Sequence, residues 1–228
     1  MANNFYNAVR RNISADSTLP TEVYLTPNGL KSIAIELDVS NKSSAGVTVT
    51  VQLEDESLNE TYDTTGTVIA DDEHNISAVA TNTTGTFTTT SAAAHGVIVN
   101  DRVIFTASSA PSFTDASLPP SAETALSVLR FYYVQAIPST TTFKIAETKS
   151  ASSALSFDGA GSGVEFKKIH LADLVKDAPV PVGGTLKVIS GQKIVMESAV
   201  AAANDKLYAY ASGTSSVDVI ASVLQDVS

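Results

Sequence analysis

Two neighbouring stretches alternate apolar and polar residues, and this pattern constrains the fold more than any other feature of the chain. The first stretch has its apolar residues at Ile33, Ile35, Leu37 and Val39. The second repeats the pattern at Val47, Val49, Val51 and Leu53. Because successive side chains of a β-strand point to opposite faces of the sheet, each stretch is expected to place its apolar residues on one face. The polar residues 41–46 between them favour a turn, so the pair predicts a β-hairpin.

Strand patterns recur along the rest of the chain, whereas no amphipathic helical pattern does. Further strands are expected at residues 84–90, 102–106, 129–137, 142–147, 186–188, 194–196 and 207–210. The final stretch, residues 217–225, carries apolar residues on both faces, as expected of a strand that is central in a sheet or covered by a neighbour. We therefore predict an all-β protein, an antiparallel, jelly-roll-like β-sandwich with an inserted second small β domain.

Two irregular segments suggest where the insert begins and ends. Residues 54–78 are acidic and have the character of a linker or an exposed loop, and residues 148–163 are rich in Ser, Ala and Gly, as in a flexible connector. Because insertions are best tolerated at exposed loops, the prediction is an outer sandwich of residues 1–75 plus 164–228 and an inserted domain of residues 79–160. Residues 107–125, which contain three prolines, are expected to form a long loop within the insert.

Residues 1–22 have few apolar side chains in regular order. They are interpreted either as a solvated arm or as an arm that docks on a neighbouring subunit. The adjacent cations Arg10 and Arg11 are candidate interface residues in the second case.

The charge composition disfavours two classes of partner. The formal net charge is −10, and charged residues make up 17% of the chain. Nucleic acids and anionic membranes both bind through clustered Lys and Arg, so neither partner is expected. The N-terminus lacks the apolar core of a secretory signal, and no apolar stretch is long enough to span a bilayer. Synthesis and use from the cytoplasm are therefore expected.

No residue pattern in the chain predicts catalysis or a cofactor. Cysteine is absent, which excludes disulfides, thiolate metal sites and cysteine nucleophiles. His95-Gly96 is interpreted as a turn, and the acidic group Asp71-Asp72-Glu73-His74 as a solvated loop rather than a cation site. His170 with Asp173 and Asp177 could suggest acid–base work, but neither a nucleophile elbow nor an HExxH motif accompanies them. The alternating glycines Gly159, Gly161 and Gly163 match no phosphate-binding spacing, so no enzyme activity and no cofactor are expected.

Four tyrosines are further candidate interface residues. Tyr132 and Tyr133 could stack on sugars or bases, although adjacent strand residues are more often one core and one surface side chain. Tyr208 and Tyr210 share one strand face, which is either core or interface, because tyrosine is enriched at interfaces.

Two parts of the chain resemble structural proteins of tailed-phage virions. The ending, residues 174–196, contains Leu174-Val175-Lys176 and the turn Pro179-Val180-Pro181-Val182-Gly183-Gly184, and with the closing strand of residues 215–227 it is similar to the ending of small virion proteins. Residues 23–39 are similar to the start of the same class. The insert resembles a β module of phage tail and capsid-surface proteins through His95, Gly96, Asp101, Val103, Phe105, Tyr132, Tyr133, Val134, Thr142 and Phe143.

The resemblance implies a non-enzymatic structural subunit of a tailed-phage virion. It is expected at the head–tail neck or tail, as a symmetric oligomer whose partners are copies of itself and other virion proteins. Two alternatives stay open: a capsid decoration (cement) protein, and a carbohydrate-binding module that grips a host glycan with Tyr132, Tyr133 or the Pro-containing loop. The expected location is the virion, assembled in the host cytoplasm.

Overall fold

The computed structural model describes residues 4–56, 60–62, 68–70, 74–81, 85–89, 95–114, 123–198, 204–213 and 216–226. The chain divides into two compact units, the first made of Met1–Ser57 with Leu171–Ser228 and the second of Leu58–His170. Every regular element in the described residues is a β-strand, so the prediction of an all-β chain is confirmed.

The strands share antiparallel pairing with their sheet neighbours. In chain order they are β1 (Asn4–Arg10), β2 (Thr21–Leu25), β3 (Lys31–Asn41), β4 (Val47–Glu54), β5 (Glu60–Tyr62), β6 (Val68–Ala70), β7 (His74–Val79), β8 (Thr86–Thr89), β9 (Arg102–Thr106), β10 (Ser112–Phe113), β11 (Tyr132–Ser139), β12 (Thr142–Ala146), β13 (Phe157–Gly159), β14 (Glu165–Ile169), β15 (Leu171–Val180), β16 (Thr185–Glu197), β17 (Lys206–Ala211) and β18 (Val217–Gln225).

The first unit contains two four-stranded sheets that share one core. The sheet that we call sheet A has the strand order β1-β18-β3-β16, and sheet B has the order β15-β4-β17-β2. Their inward faces are mostly small aliphatic side chains, including Leu37, Val39, Val49, Val51, Leu207, Ala209, Val219 and Ala221. Two sheets that bury one face each against the other form a β-sandwich, as predicted. The predicted hairpin is wrong, because β3 lies in sheet A and β4 lies in sheet B, so the turn between them connects the two sheets.

A β-bulge in β3 corrects the predicted face of its first two isoleucines. On β18, Ser222 pairs with Glu36 and Val223 pairs with Ala34, so Ile35 is the extra residue. A bulge of this kind reverses the alternation of side chains beyond it. Leu37 therefore points into the core together with Ala34, and the prediction that Ile33 and Ile35 share its face is wrong.

The first part of the N-terminal segment, interpreted as either a solvated arm or a docking arm, is a strand. All seven residues of β1 pair with β18 in continuous register, from Asn4 opposite Gln225 to Arg10 opposite Val219. Ala8 is its one side chain in the core. The backbone ladder rather than apolar burial holds β1, which is why its side chains showed no strand signal in the sequence.

The second unit contains a closed barrel of six strands in the order β11-β12-β8-β7-β14-β9. Its interior is aromatic, and Phe87 lies at its centre with ring centroids 4.9 Å from Phe105, 5.4 Å from Phe143 and 5.2 Å from Phe157. The two short sheets β10-β13 and β5-β6 complete this unit. The stretch interpreted as an acidic linker thus contains β5, β6 and most of β7.

The glycine-rich stretch interpreted as a flexible connector is a packed segment. It contains β13, which pairs with β10. Gly161 has a φ of +68°, and a Cβ at this position would overlap the backbone of Ser109 and Pro111. Glycine is required here for close packing and a left-handed backbone, which composition alone cannot distinguish from flexibility.

The boundaries between the two compact units differ from the domain boundaries that the sequence suggested. They fall at 57/58 and 170/171, because β5, β6, β7 and β14 belong to the second unit. An independently folding insert of residues 79–160, inside an outer domain of residues 1–75 plus 164–228, stays a prediction.

Replacement of Phe87 by alanine is expected to lower the free energy of unfolding by about 3–5 kcal/mol, because a fully buried ring leaves a cavity among other rings. Urea unfolding followed by fluorescence and circular dichroism measures the change. Leu129→Ala, at a side chain that is 73% exposed, is the matched control and should change this free energy by less than about 0.5 kcal/mol. Equal losses for the two variants would contradict the assigned barrel core.

Candidate assembly surface

One row of apolar side chains crosses sheet A from edge to edge on the side that faces away from the core. Phe5 of β1 lies opposite Leu224 of β18, Leu224 lies opposite Ile33 of β3, and Ile33 lies opposite Val195 of β16. Directly opposite residues on adjacent strands have Cβ atoms about 5 Å apart, so the row is continuous.

A shorter row lies four residues away along β1 and β18, beyond a polar row of Asn7, Ser222 and Glu36. Val9 is opposite Ile220 there, and the row continues into Asp38 and Lys187. We call the six apolar residues of the two rows the open face: Phe5, Val9, Ile33, Val195, Ile220 and Leu224.

Four of the six residues of the open face are exposed, and the other two, Ile33 and Leu224, are partly buried. Phe5 is 79% exposed, Val195 is 55% exposed, and Val9 and Ile220 are 46% and 45% exposed. Isolated apolar residues at a surface are ordinary, but a continuous row of four that ends in a ring is typical of a surface that another molecule covers.

The bulge at Ile35 produces this arrangement. Without the extra residue, Ile33 would share the inward face of Leu37, and the long row would be interrupted at β3. Of the two alternatives for the last strand, central in its sheet or covered by a neighbour, the first describes the sheet, since β18 lies between β1 and β3. The apolar residues on its outward side, which prompted that prediction, belong to the open face.

Three ion pairs lie around the open face, whereas the buried Oδ1 of Asp38, in the shorter row, has no hydrogen-bond partner among the described residues. Lys187 Nζ lies 2.6 Å from a Glu36 carboxylate oxygen, Lys31 Nζ lies 2.8 Å from Glu197, and Lys42 Nζ lies 2.6 Å from Asp218. The hydrogen bond from Lys187 to Glu36, with the charges of Asp38 and Glu36, raises the pKa of Lys187. A chain with a net charge of −10 therefore presents locally neutral pairs on this side of sheet A.

Arg10, one of the two predicted interface cations, fixes β1 in place. Its side chain is on the inward side, and Nε donates a hydrogen bond to the carbonyl oxygen of Glu22 at 2.7 Å. This bond joins the edge of sheet A to the edge of sheet B. Arg11 is exposed immediately after β1.

A groove of about 220 Å³ runs between β1 and β2 at this edge of the sandwich. The rings of Tyr6 and Tyr24 line it with centroids 6.2 Å apart. The Tyr24 hydroxyl is engaged, since it shares a 2.8 Å hydrogen bond with Ser32 Oγ and accepts one from Gln225 Nε2 at 2.9 Å. The hydroxyl of Tyr24 is thus used by the fold.

The structure places Tyr132 and Tyr133 in the interior. Tyr132 is fully buried in the barrel core, and its hydroxyl accepts a hydrogen bond from the Ser127 backbone N–H at 2.8 Å. Tyr133 is 8% exposed, and its hydroxyl accepts a hydrogen bond from Arg102 Nε at 3.2 Å. The expected combination of one core and one surface ring is therefore wrong, because the two faces of β11 are both covered.

The second predicted pair divides between buried and half-buried positions. Tyr208 is 9% exposed, and burial together with the nearby Glu54 carboxylate raises its pKa strongly. Tyr210 is half-buried on the same strand, β17. An interface role for these tyrosines stays a prediction.

The candidate catalytic residues have structural partners. His95 is buried, and its Nδ1 accepts a hydrogen bond from the Val97 N–H. Its Nε2 therefore carries the proton and donates a hydrogen bond to the Ser139 carbonyl oxygen at 3.0 Å. Asp173 accepts a 2.6 Å hydrogen bond from Gln52 Nε2, and the Asp177 N–H donates to Thr50 Oγ1. His170 is the last residue of the second unit.

The acidic residues 71–73 of the predicted solvated loop lie outside the described residues, whereas His74 begins β7. The described residues contain no group of three or more His, Cys, Asp or Glu side chains with metal-binding geometry. Nor does that part of the chain include a helix with the length and apolar character needed to cross a membrane.

Comparison with known proteins found no match to any family model, to any curated protein or to any solved structure. The open face and the edge at β1 are therefore interpreted from this chain alone. Sequence reasoning missed Phe5, Val9 and Val195, although the apolar residues on the outward side of the last strand pointed to the same surface.

The ion pair at Asp218 gives a prediction for pH. Asp218 accepts hydrogen bonds from Lys42 Nζ and from the Asn12 N–H at 2.9 Å, so it ties the segment after β1 to β18. Burial alone would raise the pKa of Asp218, but Lys42, the Asn12 amide and Arg11 together hold the pKa below its usual value. A carboxylate with a lowered pKa stabilises the fold above its unfolded pKa, and this stabilisation is lost as the pH falls through the folded pKa.

Asp218→Asn is expected to lower the free energy of unfolding at pH 7 by no more than about 1 kcal/mol, since water screens a partly exposed pair. Urea unfolding at pH 7 and at about pH 3 measures the difference, which should shrink at the lower pH because the carboxylate is then largely protonated in the unfolded chain. In the Asp218→Asn background, Lys42→Gln should cause little further loss. A difference that is the same at both pH values would argue against this electrostatic assignment.

Proposed function

We propose that this chain is a non-enzymatic structural subunit of a tailed-phage virion that assembles with copies of itself through the open face. The observation that supports it most directly is the apolar row Phe5–Leu224–Ile33–Val195, which is continuous over all four strands of sheet A. Contact between such a row and water is unfavourable in free energy, and covering the row with another apolar surface removes that contact.

Charge favours a second copy as the molecule that covers the open face. Two acidic chains repel each other when their facing surfaces carry unpaired carboxylates. Around the open face, the carboxylates of Glu36 and Glu197 are each paired with a lysine of the same chain. Two copies can therefore approach on this side without bringing unpaired carboxylates of these residues together.

The virion setting rests on the resemblance of the ending and of the second unit to phage structural proteins. A position at the head–tail neck or tail as a symmetric ring is our first proposal, and a capsid decoration protein is the alternative. Copy number separates the two, because a ring has about a dozen subunits whereas a decoration protein follows the capsid lattice with hundreds. Gel densitometry of purified particles against the major capsid protein measures this ratio, and absence of the chain from particles would overturn both.

The glycan-binding alternative has less support from the structure. It relied on Tyr132, Tyr133 or the Pro-containing loop, and both tyrosine rings are buried. Stacking of a sugar needs an exposed ring face, so these two positions do not provide it in this conformation.

Val195→Asp tests the open face. The change places a charge in the apolar row, and it should raise the concentration at which the oligomer forms at least tenfold. Val182→Asp is the matched control, because Val182 is 58% exposed but lies in the turn at the opposite end of sheet A. Analytical ultracentrifugation over a dilution series measures both variants.

Both variants should remain folded, since each changes an exposed side chain. Circular dichroism and thermal unfolding check this. A wild-type chain that is monomeric at every concentration, or equal effects of the two substitutions, would count against assembly through the open face.

A further inference from the structure

The two sheets of the first unit end in four edge strands, and three of them carry features that oppose pairing with another strand. β15 is interrupted by two register shifts and contains Pro179, and β16 is interrupted by two shifts opposite β3. β2 is five residues long, and its pairing with β17 shifts between Leu207 and Tyr208. Bulges, proline and short length are the usual means by which proteins protect a sheet edge.

β1 lacks these features. Its seven residues pair with β18 without a register shift, it contains no proline, and its one charged residue is Arg10 at the end. It has a strand neighbour on one side only in the described sheet, so the backbone groups on its other side are available for hydrogen bonds. A regular, uncharged edge next to an exposed apolar row is suited to adding a strand.

We infer that β1 pairs with β1 of a second copy, antiparallel and centred on Asn7, so that sheet A continues from one chain into the other. This inference rests on the proposed self-assembly and adds to it a second contact between copies, at the sheet edge beside the open face. An antiparallel pair related by a two-fold axis must have one residue opposite its own copy, and Asn7 is the middle residue of the seven.

The side chains of β1 are complementary to themselves in this register. On the outward side, Phe5 lies opposite Val9 of the second copy, so that each exposed ring covers an exposed valine. On the inward side, Tyr6 lies opposite Ala8, which pairs a large residue with a small one. Arg10 lies opposite Asn4, and no like charges face each other along the strand.

The pairing also extends the apolar row that ends at Phe5, on the edge strand β1, into the second copy. A two-fold axis perpendicular to the sheet leaves the open faces of both copies on the same side. The row that ends at Phe5 in one chain then continues through Val9 of the other. Edge pairing would thus build one wide apolar surface from two narrow ones.

The chain contains no cysteine, so an engineered cysteine can report the register without interference. Residues directly opposite in an antiparallel pair have Cα atoms roughly 4.5–5.5 Å apart, within the range of a disulfide. Asn7→Cys should therefore form a covalent dimer under mild oxidation, seen on a non-reducing gel. A mixture of Phe5→Cys and Val9→Cys should form a mixed dimer, whereas Phe5→Cys alone should not.

Ser222→Cys is the matched control, because Ser222 lies beside Asn7 on β18 and faces the same side. In the paired sheet the two Ser222 positions are about three strand spacings apart, roughly 14 Å, which is too far for a disulfide. Equal crosslinking of Asn7→Cys and Ser222→Cys would mean random collision and would overturn the pairing.

The outcomes separate this inference from the proposed function. Suppose that Val195→Asp weakens the oligomer but Asn7→Cys does not crosslink. This result would overturn the edge pairing and leave assembly through the open face intact. A chain that is monomeric throughout would overturn both.

A charge exchange at the same position gives an independent test. Asn7→Lys and Asn7→Asp each place two like charges at the two-fold axis, and each should weaken self-association at least tenfold. An equimolar mixture should recover it, since a lysine then faces an aspartate. Lack of recovery, with both variants folded by circular dichroism, would contradict the register.

Discussion

The position of one extra residue in β3 determines which apolar side chains of sheet A are buried. Ile35 has no partner on β18, and the alternation of inward and outward residues reverses on either side of it. Leu37 and Val39 therefore enter the sandwich core, while Ile33 turns outward to join Phe5, Leu224 and Val195. The same bulge that lets the core close thus completes the apolar row, and the proposed assembly depends on it.

The two units fill their interiors in different ways. The sandwich core is built of valine, alanine and leucine, whose small volumes suit two sheets packed face to face. The barrel is filled by rings, with Phe87, Phe105, Phe143 and Phe166 in mutual contact. A closed sheet of six strands has no free edge within its ladder, and the strand edge that we propose for assembly lies in the sandwich.

The sequence was sufficient for the fold class and for the strands whose alternation is unbroken. Val47, Val49 and Val51 reach the core as predicted because β4 has a regular side-chain period over that stretch. The faces of Ile33 and Ile35 were predicted wrongly because a bulge depends on pairing with a partner strand, which the residues of β3 alone do not show.

Other features were missed for related reasons. β1 was hidden because only Ala8 of its side chains is in the core, and Gly161 was interpreted as flexible because composition does not distinguish a packed glycine from a mobile one. The open face combines Phe5 and Val195, which are far apart in the chain and are joined only by strand register. The two-sided apolar pattern of the last strand was the one sequence signal that pointed to this surface.

Hydrogen–deuterium exchange of β1 at concentrations below and above assembly tests the central claim most directly. We predict that the backbone amides of residues 4–10 that point away from β18 become protected from exchange as the chain assembles. The amides of the edge strand β2 should exchange at an unchanged rate. An assembled chain in which β1 exchanges as fast as in the monomer would contradict it.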